Sequence, residues 1–256
     1  NQPREKCFYR GLRSVKDKVD LYGAQLYVWP SNLGSIDPDE SEIDFGIVPD
    51  KIVVNGPFYL PEISRIDYRV GPSLRSGKLF QVRTNPAQSE NILVLMPYFE
   101  PETEYFLKLI NQMDVTQPIL LKFHPGVDRQ KFENRIKHGV QVVEGDLFDF
   151  LVKSKMVIGM ATSTMVEAAS LGIPAISIEN NEKGLSEFNY SFMPRMGKGV
   201  IWDNASNISE VTDRIANFNA LMNNEPAKIA EMGRTYKEMF FCQSSDQKII
   251  EAFDLN

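Results

Sequence analysis

From Asn91 onward, short apolar runs alternate with segments whose apolar residues recur at helical spacing. Asn91-Ile-Leu-Val-Leu-Met is almost continuously apolar, which predicts a strand buried on both faces. Glu102 to Met113 places Phe106, Leu107, Ile110 and Met113 on one helical face. Pro118 to Phe123, Val140 to Val143, Met156 to Gly159, Pro174 to Ile178 and Val200 to Trp202 read as further strands. Gln130 to Lys137, Asp146 to Ser154, Thr164 to Leu171, Ile208 to Met222 and Pro226 to Phe240 read as helices. Such alternation predicts an α/β fold with a Rossmann-like, doubly wound parallel sheet.

Before residue 88 the pattern is thinner. Residues 24–29 and Lys51 to Asn55 read as strands, Tyr59 to Ile66 as a short helix entered at Pro61, and Tyr68 to Gly71 as a strand. Residues 1–20 read as a helix end or an irregular segment, and Pro30 to Asp44 as a loop. Gly71 to Ala87, rich in Gly, Pro, Ser and Asn, reads as a linker. The expected organisation is a partial α/β unit with its linker over residues 1–80. A nucleotide-binding domain with C-terminal helices follows over 81–256. Tyr236 to Phe253, with Met239, Phe240 and Phe241 as its packing face, fits either unit.

Composition narrows the function classes. The 256 residues are 43% hydrophobic, enough for a core, and carry a net charge of −6, a poor match to a nucleic-acid partner. Two cysteines and two histidines exclude a disulfide framework and make a zinc enzyme a poor fit. No apolar run reaches the roughly 18 residues of a membrane span. The chain opens with Asn1 and a polar stretch to Lys18, which suggests a piece of a longer protein. No Gly-x-Gly-x-x-Gly, Walker loop or Gly-x-Ser-x-Gly elbow is present.

Four places carry candidate chemistry. Lys122-Phe-His-Pro-Gly126 follows a buried strand, so His124 and Lys122 stand where open parallel sheets bind ligands, and Pro125-Gly126 turns the chain sharply. A histidine beside a lysine suits a phosphate; the plainer role for His124 is a backbone-satisfied cap. Ala161-Thr-Ser-Thr164 brings hydroxyls and unpaired amides to a helix start, an anion site or simply an N-cap with Ser163 and Glu167 as partners. Glu167 in an otherwise apolar helix could hold ribose hydroxyls or face solvent. Glu144-Gly145-Asp146 is either a loop against which a base lies or a strand-to-helix turn capped by Asp146. His138 reads as a helix C-terminal residue, and Asp37, Asp39, Glu40, Glu42 and Asp44 as a solvated acidic run.

In order and separation, Lys122-Phe-His-Pro-Gly, Val143-Glu-Gly-Asp and Gly159-Met-Ala-Thr-Ser-Thr-Met-Val-Glu-Ala-Ala-Ser-Leu-Gly-Ile-Pro resemble the donor-binding domain of GT-B glycosyltransferases. The His-Pro pair with a later Ser/Thr motif resembles the bacterial sialyl-, polysialyl- and Kdo transferases that use CMP-sugars. Pro49 to Gly56 and Val70 to Arg75 resemble the end of the acceptor domain in surface-carbohydrate transferases, so the likeness spans about residues 45–180. The resemblance implies that His124 contacts the donor phosphate and assists departure of CMP. It implies that Ser163 and Thr164 bind that phosphate, Glu167 the ribose, the Glu144-Gly145 loop the cytosine, and that Lys122 adds positive charge. It further implies a glycan or glycolipid acceptor, no metal cofactor, and a cytoplasmic enzyme with peripheral association at the inner membrane. The general base would come from the acceptor domain, and the 37–44 acidic residues are the substitutes on offer. CDP-glycerol or CDP-ribitol phosphotransferases share the arrangement. UDP-GlcNAc 2-epimerases usually carry paired glycines where Ala161 to Thr164 has none. A non-catalytic nucleotide-sugar-binding module of a larger protein is the reading from another class.

Overall fold

A computed structural model describes residues 3–15, 20–31, 36–179 and 191–255. Parts of the polar opening stretch (1, 2 and 16–19) and of the expected 30–44 loop (32–35) lie outside the described residues. The chain divides into two compact units. The first takes the described residues of Asn1–Trp29, Gly34–Gly77 and Glu238–Asn256; the second takes Pro30–Leu33 and Lys78–Lys237. The division therefore departs from the expected 81–256 block by placing Glu238–Asn256 with the first unit.

The first unit is built on a three-stranded parallel sheet of β1 (Tyr22–Ala24), β2 (Lys51–Val54) and β3 (Asp67–Val70), in that order. Strand β1 lies earlier than residues 24–29: the Gln25 amide still donates to the Val53 carbonyl at 2.8 Å, but the Asn55 amide that follows β2 is taken by the Gln25 side-chain oxygen, whose amide group donates to the Tyr27 carbonyl. The opening stretch is a helix, α1 (Pro3–Val15), and α2 (Glu40–Asp44) occupies part of the expected loop. Asp39 and Glu42 start α2 with a reciprocal capping box, a signal present in the sequence. Helix α1 buries none of its described side chains and is held by polar ties: Arg13 reaches Asp50 at 2.8 Å and the Val48 carbonyl at 2.8 Å. No helix forms over 59–66. A 3-10 turn covers Pro57–Tyr59, and Leu60 is extended because the following Pro61 ring disfavours helical backbone before it.

The C-terminal chain completes this unit. Phe240 packs on Phe58 with ring centroids 4.3 Å apart and meets Tyr59 edge-on at 5.9 Å. Gly56 lies directly against the backbone of Met239–Phe241, and the Ser73 amide donates to the Cys242 carbonyl at 2.9 Å. A final helix, here called the terminal helix (Asp246–Phe253), ends at Asp254, whose carboxylate accepts from Lys51 at 2.7 Å, Arg69 at 2.7 Å and the Tyr22 hydroxyl at 2.5 Å. These three donors, Lys51 foremost, hold the Asp254 carboxyl well below the usual carboxylate range. A depressed pKa contributes stability above the ordinary value of about 4 and loses it as pH falls toward the folded value. Amide protection of the terminal helix is expected to fall on acidification below about pH 4. Asp254→Asn is expected to flatten that dependence in hydrogen exchange.

The second unit is the α/β layer that the apolar pattern predicts. Its strands are β4 (Asn91–Leu95), β5 (Ile119–Lys122), β6 (Val140–Val142), β7 (Ser154–Gly159), β8 (Ala175–Ile178) and β9 (Trp202–Ala205). All pairings are parallel, in the order β6-β5-β4-β7-β8-β9. Counted within the unit this is 3-2-1-4-5-6, the doubly wound order, with its reversal between β4 and β7. Residues 92–94 and 156–158 are fully buried, as continuous apolar runs in a two-sided sheet must be. Helices α3 (Glu100–Asn111), α4 (Leu147–Leu151), α5 (Thr164–Ser170), α6 (Ile208–Asn224) and α7 (Pro226–Phe240) complete the unit, α7 running on into residues assigned to the first.

Two expectations fail in this unit. Residues 130–137 form two 3-10 turns, Arg129–Lys131 and Glu133–Arg135, and not a helix. Phe132 is the one well-buried apolar side chain there, and the Asn111 amide group takes over the backbone bonding at the Arg135 carbonyl and Lys137 amide. His138 accordingly caps no helix and sits in the exposed turn before β6. Strand β9 starts at Trp202 because 197–201 is a tight turn, with Gly197 and Gly199 at φ +75° and +77°.

Candidate functional site

The carboxyl ends of β4, β5 and β7 are neighbours by pairing. Strands β5 and β7 flank β4, so the residues following them lie about 10 Å apart, two strand spacings, across its end. Met96-Pro97-Tyr98 leaves β4, Phe123-His124 leaves β5 and Met160-Ala161-Thr162 leaves β7.

His124 is exposed and oriented from two sides. Its Nδ1 accepts the Gly126 amide at 3.1 Å, and its ring meets Tyr98 edge-on, 4.9 Å between centroids at 88°. With Nδ1 accepting, a neutral imidazole carries its proton on Nε2. Gly126 packs close under the Tyr98 ring: a Cβ there would stand 2.6 Å from it, so a side chain would push the ring aside. The Pro125-Gly126 turn thus sets the histidine and its aromatic neighbour together. Tyr98 was not singled out by the sequence reading; its signal is position, three residues past the first strand of a doubly wound sheet.

A cavity of about 300 Å³ opens beside His124, at the lower end of small-ligand sites. Its walls include Lys122, His124, Pro125, Arg129, Glu144 and Gly145. The Lys122 ammonium donates to the Gly145 carbonyl at 2.7 Å and lies 5.5 Å from the centre of the Phe150 ring, so it also fixes the 144–145 loop. Gly145 takes φ +114°, a conformation that favours glycine, and this turns the loop toward the lysine. Arg129 pairs with Glu144 and with Glu133, the latter at 3.0 Å. Arg129 was hidden from sequence reasoning by the helix expected over its neighbours. Asp146 caps α4, accepting the Phe148 amide at 2.9 Å. The Lys78 ammonium, 2.5 Å away, and then that amide hold its carboxyl below the usual range.

The remaining candidates lie on the β7 side. Ser163, Thr164 and Glu167 are half-buried at the start of α5 and, with Gly126, do not line the His124 cavity. The cap at this helix is Thr162, whose carbonyl and hydroxyl face the Met165 and Thr164 amides; Ser163 is already helical and makes no side-chain cap bond. The expected Ser163–Glu167 capping arrangement is therefore replaced by one residue's shift, because Ala161 turns the chain with φ +47°. A left-handed alanine costs about 1–2 kcal/mol, partly offset by glycine's greater unfolded freedom. Ala161→Gly is expected to raise stability by about 0.5–1 kcal/mol in urea unfolding.

The acidic run is mostly committed. Asp37 accepts the Ser64 hydroxyl at 2.7 Å, Asp39 caps α2, Glu42 pairs with Lys6, and Asp44 pairs with Arg65 at 2.8 Å. Among the described residues no group of three or more His, Cys, Asp or Glu side chains could hold a metal ion, and no helix is long and apolar enough to cross a membrane.

No family model and no curated protein sequence matches the chain. Among solved structures it is similar to HepE of Anabaena in complex with UDP, at a TM-score of 0.55 and 12% identity over 100% of this chain and 77% of that one. The fold is GT-B. MurG of Acinetobacter baumannii aligns at a TM-score of 0.49 and 11% identity, over 96% of this chain and 69% of MurG. The wall teichoic acid polymerase TagF aligns at 0.42 and 11% identity over 91% of this chain, which spans 64% of the TagF chain. For a GT-B fold, the sheet end that carries His124 is where ligands of doubly wound sheets bind.

Proposed function

We propose that the six-stranded unit binds a nucleotide sugar at the ends of β4, β5 and β7, and that the protein is a GT-B glycosyltransferase. The donor is a CMP-sugar such as Kdo or sialic acid, and the acceptor a glycan or glycolipid of a bacterial surface polymer. The observation that carries this reading is His124 at the carboxyl end of β5, its Nδ1 accepting the Gly126 amide so that a neutral ring carries its proton on Nε2. As the bond from anomeric carbon to phosphate oxygen breaks, the electron pair goes to that oxygen. Nε2–H donates to the growing charge, and preorganised donors of this kind supply a large share of such catalysis. Ser163 and Thr164 hold the phosphate from the α5 side, Glu167 the ribose, and the Lys122-braced Glu144-Gly145 loop the base. Arg129 adds a second cation to this wall. No metal is needed in this scheme. The general base belongs to the acceptor side, and the commitments of Asp37, Asp39, Glu42 and Asp44 argue against those four.

A UDP-sugar donor is the second reading, favoured by the likeness to HepE, whose structure was solved with UDP. Titration calorimetry with CMP, CDP and UDP, repeated on His124→Ala, separates them. CMP is expected to bind the wild-type chain and to bind the variant at least ~10-fold more weakly, the loss of one charge-assisted hydrogen bond. A preference for UDP selects the second reading. Binding of none of the three, or CMP affinity unchanged in the variant, sinks the donor-site assignment.

A further inference from the structure

The second unit holds a larger cavity, about 500 Å³, lined by 82–87, 170–172 and one face of α7. It includes Ser170 to Gly172, the end of α5 opposite to Thr164, so it is separate from the His124 cavity. Its floor is apolar: Met222 and Ile229 are 3% and 4% exposed, and Leu171 is buried. Its rim is cationic, with Arg83, Arg234 and Lys237, and none of the lining residues is acidic, in a chain of net charge −6.

The polarity is graded along α7. Ile229, Ala230, Gly233, Arg234 and Lys237 share one helical face, apolar at its start and cationic at its end. From Ile229 to Lys237 the helix advances about 12 Å. The cations are not needed to finish α5, since the Thr84 hydroxyl already donates to the Leu171 carbonyl. Arg83 and Arg234 are exposed and pair with no carboxylate among the described residues. Lys237 donates to the Leu79 carbonyl at 3.0 Å, and burial pushes its pKa down, a cost that a nearby anion relieves.

We propose that this cavity binds an amphipathic phosphate, with a single aliphatic chain on the Met222–Ile229 floor and its head between Arg83, Arg234 and Lys237. The inference does not depend on the nucleotide reading.

The test is titration calorimetry of the full chain with decyl phosphate below its micelle concentration, beside inorganic phosphate and decyl glucoside. Decyl phosphate is expected to bind at one site at least ~10-fold more tightly than either the bare anion or the uncharged chain, because only it uses both halves of the cavity. The Arg83→Ala/Arg234→Ala double variant removes two surface side chains and is expected to weaken it at least ~10-fold. Ala230→Phe, which fills the apolar half, is expected to do the same. Vesicles containing phosphatidic acid distinguish the source: capture by them in addition to the monomer assigns a lipid headgroup, and binding of the monomer alone assigns a free amphiphile. Equal binding of decyl phosphate and inorganic phosphate, an unaffected double variant, or capture by vesicles without monomer binding overturns the proposal.

Discussion

Gly56→Ala is expected to destabilise the first unit by about 3 kcal/mol, the upper end of ordinary overpacking. The added Cβ would stand 2.4 Å from the Met239 carbonyl oxygen, 2.6 Å from the Phe240 carbonyl carbon and 2.8 Å from the Phe241 nitrogen. All three are backbone atoms, so no side chain can swing away. Gly56 itself is extended, with φ −168°, and alanine is at ease there. The cost is thus contact alone. Relief requires lifting residues 239–241 from Gly56, which would pull Phe240 off Phe58 and strain the Ser73–Cys242 bonds. Chemical unfolding followed through amide exchange in residues 51–54 and 246–253 would show it. A loss below about 1 kcal/mol would mean residues 239–241 are not held against Gly56 as described.

Gly233→Ala, on α7, is expected to cost about 2 kcal/mol in the second unit. Two effects of opposite sign compete. Alanine inside a helix gains about 1 kcal/mol over glycine. Against this, its Cβ would lie 2.8 Å from both the Cα and the amide nitrogen of Gly172 and 3.1 Å from the Ala169 carbonyl oxygen. Overpacking of up to about 3 kcal/mol wins, since the obstacle is again backbone. Exchange of the β7 and β8 amides is the readout. A net stabilisation would show that α7 can shift away from the α5–β8 turn at little cost.

Both glycines illustrate what the sequence could and could not disclose. The strands of the second unit were legible because a strand buried on both faces must be apolar at every position, as Ile92–Val94 are. The His124 turn was legible because a parallel sheet exposes its chemistry at strand ends. Close backbone approach leaves no pattern: Gly56 and Gly233 look like ordinary glycines. Residues 130–137 had helical composition but only Phe132 to anchor, and a distant side chain, Asn111, satisfied their backbone instead. Arg129 and Tyr98 escaped for a related reason, since their places beside Glu144 and His124 depend on pairings remote in sequence. The membership of 238–256 in the first unit was open in the sequence, because Phe240 and Phe241 are apolar enough to suit either side.

That membership has a consequence for how the chain comes off the ribosome. The first unit needs residues from before 78 and after 237, such as Gly56 against Met239 and Lys51 against Asp254, while the second takes Pro30–Leu33 and 78–237 and nothing after Lys237. During synthesis at about 5–20 residues per second, β1 to β3 therefore wait on the order of 10–30 s for their last partners. The unit that starts first is finished last: once Lys237 is made the six-stranded unit has all its residues, while the three-stranded sheet still waits about 1–3 s for the segment that ends at Asp254.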